Sequence, residues 1–243
     1  MSPPANGDLL TPDGVGWISQ LDENGAIVKD KWVEGFDTPA GLRIHKGVLY
    51  VANINKVHGI DIATAAVTEN YNFPAAMLLN DPSVNPVDDM AYVSDTFGNV
   101  IYSFKAGTIG SEDVFLSSAE LMGPNGTLVE GNNLLVAGLM DFDPATTGPF
   151  LSIDLGTKAI TPIGMAKAKW DGLEKDGDDY ILSDNPKSQI VRIKKDGTTS
   201  VALDLMKDHN YSPAADIGYD PARRLLCVPN LGDSVAFVTL PMP

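Results

Sequence analysis

The chain is poor in the residues that staple, coordinate or grip polyanions. Its single cysteine among 243 residues, Cys227, excludes an internal disulfide. The three histidines, His45, His58 and His209, are scattered, so no imidazole or thiolate metal cluster is legible. Lys and Arg number 17 against 32 Asp and Glu, a net charge of −15. Nucleic acids and anionic membrane surfaces are gripped by clustered Lys and Arg, so neither is expected as a partner. No apolar run approaches the roughly 18 residues of a spanning helix. Met1–Leu10 lacks the basic-then-apolar layout of a signal peptide. Helix is scarce too, because no window keeps a 3.6-residue apolar period for three turns.

What the chain does have is an ordinary globular composition, 44% apolar and 20% charged, and a repeat. Five stretches share one layout: PAGLRIHKGVLYVAN, LNDPSVNPVDDMAYVSD, PNGTLVEGNNLLVAG, WDGLEKDGDDYILSD and ADIGYDPARRLLCVPN. Their second residues are Ala40, Asn80, Asn125, Asp171 and Asp216, spaced by 40, 45, 46 and 45. A period in the forties with strand character is that of propeller blades. In the fourth unit, 172–175, 180–183, 189–193 and 200–203 read as four strands bounded by Asp-Gly and Asn-Pro turns. A β-sandwich also spaces short strands regularly, but it does not repeat one tetrad at this period.

The whole of 1–243 therefore reads as a single all-β propeller domain of the six-bladed type, with 1–15 irregular and the blades in 16–243. Gly16–Asp22 matches the third strand of a blade, as Val57–Asp61 does, and residues 1–14 carry turn chemistry. The expectation is an N-terminally incomplete ring of five blades plus one outer half-blade. An open gap exposes sheet edges, and two such chains could close it as a homodimer.

In a propeller the first residues of the innermost strands converge on the mouth of a central channel. That places Asn80, Asp81, Asn125, Asp171 and Asp216 in a ring, with Ala40 as the apolar member. Asp and Asn also begin strands simply because they cap turns; recurrence at one repeat position is what sets these apart. Carboxylate and carboxamide oxygens without His or Cys suit a hard cation. Asn80, Asn125, Asp171 and Asp216 are the expected metal set, for Ca²⁺ first, or another divalent cation such as Mg²⁺, Zn²⁺ or Mn²⁺. Asp81, Asn80, His209 and Trp170 are the expected substrate contacts. His209 is chosen as a loop residue able to overhang the mouth, and Trp170 as a wall beside Asp171.

At the LND, PNG, WDG and ADIGYDP segments the sequence resembles the senescence-marker-protein/gluconolactonase/regucalcin family of six-bladed propellers, in its bacterial extracytoplasmic branch. The resemblance spans about Trp17 to Leu240. It implies a divalent ion in the channel mouth assisting hydrolysis of sugar lactones or related esters. It also implies that Asn125 is a ligand, that Asp171 is a ligand and the catalytic base, and that Asn80 is a further ligand or substrate contact. The family's first-blade Glu has no counterpart in residues 1–16. By the same resemblance the parent protein is periplasmic or secreted. The alternative function is a non-catalytic propeller that binds a small molecule or a protein partner on the same face.

Overall fold

The structure, a computed structural model, describes residues 9–141, 143, 145–232 and 234–242. Residues 1–8 of the expected irregular segment lie outside it. The runs VLYVAN, MAYVSD, NLLVAG and DYILSD are apolar without alternation, and each is buried on both faces. A strand apolar on both sides needs a sheet against each face, and sheets stacked around one axis supply that.

Four sheets have four antiparallel strands in simple chain order. They are β3–β6 (Pro39–His45, Val48–Asn53, Lys56–Asp61, Ala66–Asn72) and β7–β10 (Leu79–Val84, Met90–Asp95, Val100–Lys105, Thr108–Ser117). The others are β11–β14 (Pro124–Glu130, Asn133–Gly138, Gly148–Asp154, Ile160–Ala168) and β15–β18 (Trp170–Asp176, Asp179–Asp184, Gln189–Ile193, Thr199–Asp204). A short helix, α1 (Leu205–His209), leads to a three-stranded sheet, β19–β21 (Gly218–Asp220, Leu225–Pro229, Val235–Thr239). These five blades are preceded by a two-stranded sheet, β1 (Gly16–Leu21) and β2 (Ile27–Phe36). The chain is thus an all-β propeller.

Neighbouring sheets meet through continuous apolar clusters. Tyr50, Val57 and Tyr71 of one blade pack on Leu79, Val93 and Phe104 of the next. Leu135 and Phe150 meet Trp170, Leu173 and Tyr180 in the same way. Ile18, Val33 and Phe36 of the two-stranded sheet pack on Leu49, Val51 and Ile60. Its turn reaches the last sheet, where Glu23 pairs with Arg223 at 3.0 Å. First and last sheets are therefore neighbours.

One device recurs in the inner strand of all four four-stranded blades. Pairing of inner with second strand runs Pro39↔Asn53 then Leu42↔Val51, and Leu79↔Asp95 then Pro82↔Val93. It runs Pro124↔Gly138 then Thr127↔Val136, and Trp170↔Asp184 then Leu173↔Leu182. Each inner strand thus holds one extra residue, a bulge at the repeat position itself. A bulge re-aims the side chain it carries. The residue after the repeat position is Gly in three of these strands because the next inner strand lies against it. A Cβ on Gly126 would sit 2.3 Å from the Asp171 carbonyl oxygen, and one on Gly172 would sit 2.3 Å from the Ile217 nitrogen.

Serine hydroxyls on the second strands fasten the same seam. Ser94 accepts the Asp81 N–H at 3.1 Å and donates to the Asn125 carbonyl at 2.6 Å. Ser183 accepts the Gly172 N–H at 2.9 Å and donates to the Ala215 carbonyl at 2.7 Å. The Asn or Asp ending a second strand holds the loop that enters its own blade. Asn53 accepts the N–H groups of Asp37 and Thr38, and Asp95 those of Met77 and Leu78.

At the inner hairpin of β15–β16, the segment Asp176–Asp179 is a two-residue turn, and Asp176 is the centre of a network. Its carboxylate accepts from Arg192 at 2.6 Å, from Arg224 at 2.9 and 3.0 Å, and from Tyr219 at 2.9 Å. Against the cost of burial, these donors hold its pKa down at about 2.

Two stability predictions follow from the seam and the network. Gly172→Ala should cost about 2–3 kcal/mol in urea unfolding, the usual penalty of overpacking. Gly218→Ala, where the nearest atom to an added Cβ is 3.9 Å away, serves as the silent control; equal midpoints for both variants would contradict the close-approach account. Asp176→Asn should cost about 3 kcal/mol near neutral pH by stranding two guanidinium groups. A depressed folded pKa stabilises above the unfolded value and is lost as pH falls towards 2. The gap between wild type and variant should therefore close on acidification below about pH 4; a gap that stays constant would contradict this.

Candidate functional site

The bulges of four blades, and the segment leading into β19 of the fifth, bring the repeat residues into one space. Ala40, Asn80, Asn125, Asp171 and Asp216 all line a cavity of about 410 Å³ at one end of the channel. That size is ordinary for a small-molecule pocket. The polar part of its lining also includes Asn185, which donates to the Asp171 carboxylate at 2.6 Å, Lys169, Thr38, Asp141 and Asn230. Lys169 is buried, and its ammonium group is held by the Asp141 carbonyl and, at 2.8 Å, by the Thr146 hydroxyl. It ties the loop carrying Leu139 and Asp141 to the start of β15.

Asp171 is the chemically distinctive group. Burial, and then the neighbouring Asp216, push its pKa up to about 7, while hydrogen bonds from Asn185 and Asn125 oppose the shift. A carboxyl with that value exchanges protons near neutral pH, as a general base or acid must. Asp216 is itself raised by burial, with Arg43 pulling the other way. Cys227 is no competitor as a nucleophile, since burial and Asp216 push its thiol up to about 11.

Below the cavity the channel holds a charge cluster that sequence reasoning missed. Arg43 on β3 crosses to Glu174 on β15, 2.9 Å away, and its guanidinium lies 4.0 Å from Asp81. One fixed cation thus faces the carboxyls of Asp81, Glu174 and Asp216. Burial raises Asp81 well above its usual value, Asp216 adds to the rise, and Arg43 opposes it. One Asp81 oxygen accepts the Thr127 N–H at 2.7 Å, and the other has no hydrogen-bond partner. Arg43 and Glu174 each stand three residues after a repeat position. Plain alternation puts positions three apart on opposite faces; with the bulge between them, both turn to the channel.

The remaining sequence candidates fall elsewhere. Asp81 sits under the cavity among the channel charges. Trp170 does not wall the pocket: it is 2% exposed and packs between blades with Leu135 and Phe150. His209 is exposed at the end of α1, which packs on β17 and β18 in the outer half of its blade, and does not line the cavity. His45 pairs with Asp89 at 2.8 Å, and His58 contacts Asn53 and Asn70. Among the described residues no group of three or more His, Cys, Asp or Glu could hold a metal ion. A cation in this cavity would have to draw on carboxamide oxygens as well.

No protein-family model matches the sequence, and no curated protein matches it. Solved structures do match in fold, and they are β-propellers. A chain of the nidogen/laminin complex superposes with a TM-score of 0.72 at 13% identity, covering 91% of this chain and 84% of that one. The catalytically inactive H270A virginiamycin B lyase from Staphylococcus aureus with quinupristin gives 0.64 at 16%, covering 91% and 73%. A streptogramin B lyase gives 0.59 at 13%, covering 84% and 70%. At such identities the likeness is one of fold.

The raised pKa of Asp171 has a measurable consequence for stability. A carboxyl whose folded value exceeds its unfolded value of about 3.9 loses stability as pH rises towards about 7. In chelator-treated protein, Asp171→Asn should therefore gain in Tm relative to wild type between pH 4 and pH 8. An identical difference at both pH values would contradict the assignment.

Proposed function

We propose that the chain is a hydrolase of lactones or related esters, working at the channel mouth with one divalent cation, Ca²⁺ first. The observation that carries this reading is the convergence of Asn80, Asn125, Asp171 and Asp216 from four blades into one cavity. The donor set fits a hard cation, because Asp171 and Asp216 crowd like charge into a buried space while the two Asn residues supply neutral oxygens. These four residues would hold the ion. When bound, it supplies Lewis-acid polarisation of the substrate carbonyl.

Asp171 takes the proton of the attacking water as the water oxygen bonds to the carbonyl carbon. As the acyl C–O bond breaks, Asp171 returns that proton to the departing alkoxide. Asn185 and Asn125 orient its carboxylate. The ring is read as six-bladed and of the gluconolactonase-like family, with β1–β2 as the outer half of one blade. Support comes from the pairing of β1 with β2, which parallels that of β5 with β6, and from the Glu23–Arg223 contact between first and last sheets.

The second reading is a non-catalytic propeller that binds a partner on the same face, favoured by the likeness to a chain of the nidogen/laminin complex. Lyase chemistry is not proposed. The comparison lyase is inactive as H270A, and among the described residues no histidine lines this cavity.

Hydrolysis of a lactone and aryl-ester panel with Ca²⁺ tests the proposal. Wild type should turn over at least one class, and Asp171→Asn should lower kcat by about 10²–10⁴-fold with unchanged circular dichroism. Turnover that survives in Asp171→Asn would overturn Asp171 as the base, and no turnover across the panel would hand the lead to the binding reading.

A further inference from the structure

The cavity is layered along the channel axis. First residues of the inner strands give its polar floor, and the loops beyond the strand ends give the rest of the lining. That upper part is mostly apolar, with Leu9, Leu78, Leu139, Pro186, Pro229 and Leu231 outnumbering the polar Thr38, Asp141 and Asn230. None of these leucine and proline side chains offers a hydrogen-bond donor or acceptor. Leu231 is 65% exposed beside the opening, an uncovered apolar side chain where an apolar ligand group would enter.

Most donors that line the cavity are already engaged, the buried Thr38 hydroxyl being the exception. The Lys169 ammonium is taken by Asp141 and Thr146, the Asn185 amide by Asp171, and the Asn80 amide by Thr96 at 3.2 Å. A polyhydroxylated ligand would bring a hydroxyl on almost every carbon. Those facing the Leu and Pro side chains would lose water without gaining a partner, which is costly for each group.

We infer that the ligand is an amphipathic carbonyl compound, a lactone or ester bearing an alkyl or aryl group, with its carbonyl on the polar floor and its apolar part against the leucines and prolines. This rests on the hydrolase reading for the carbonyl and departs from the sugar lactones that the sequence resemblance implies.

The test separates the ligand class from the chemistry by using lactams, which resist hydrolysis, on the wild-type protein with Ca²⁺. Calorimetry with 2-pyrrolidinone carrying alkyl chains of one to six carbons should show Kd tightening about fourfold per methylene until the cavity is full. Gluconolactam should bind no tighter than unsubstituted pyrrolidinone. Leu231→Ser, at an exposed position, should flatten the chain-length slope for the longer members. A flat slope in wild type, or tighter binding of gluconolactam, overturns the inference. If the slope holds but the matching alkyl lactones are not hydrolysed, the hydrolase reading falls and the ligand class stands. Hydrolysis of gluconolactone with a flat alkyl slope does the reverse. Absence of binding by every lactam overturns the inference outright.

Discussion

Everything at the channel depends on how closely successive inner strands approach one another. At Gly126 and Gly172 the backbone of the next blade occupies the place of a Cβ, and serine hydroxyls on the second strands stitch the same seam. The bulge that permits this contact falls at the repeat position, so blade packing and the lining of the cavity share one backbone irregularity. It turns Asn80, Asn125 and Asp171 inward to meet Asp216 from the segment before β19, and it lets Arg43 and Glu174, three residues after a repeat position, meet across the channel. A regular inner strand would turn one set or the other away.

The electrostatics follow from the same geometry. Three blades crowd Asp81, Asp171, Glu174 and Asp216 into a small buried volume, and among the described residues Arg43 is the cation that faces Asp81, Glu174 and Asp216. The carboxyls respond by holding their protons more tightly, which is why Asp171 titrates near neutrality. At the other end of β15, Asp176 shows the opposite outcome. Its side chain is also buried, but two guanidinium groups and a phenol surround it, and its charge is secure. One strand therefore carries a carboxyl with a raised pKa and one with a lowered pKa, separated by what faces them.

The repeat period, the apolar middle strands and the turn residues made the blades legible in the sequence: 180–183 and 189–193 lie within β16 and β17. The repeat position was legible as well, because five similar segments put one residue at one spacing. The bulge was not, since nothing in PAGL or WDGL distinguishes a bulged strand from a regular one. With it went Arg43, Glu174 and the buried Lys169, whose partners lie in other blades or in a distant loop. Trp170 and His209 were misplaced for a related reason. Closeness in sequence to Asp171, or to the last blade, says nothing about which face of a strand or which half of a blade a side chain occupies.

The shared propeller fold extends to a lyase and to a chain of the nidogen/laminin complex, so architecture alone does not select a function. The mouth site does, if its four oxygen-bearing residues act as a unit on one cation. Calorimetric titration of Ca²⁺ into chelator-treated wild type and Asp171→Asn reads that unit directly. The account predicts saturable one-site binding in wild type and its loss in the variant. Absence of binding in wild type, or equal binding in both proteins, would contradict it.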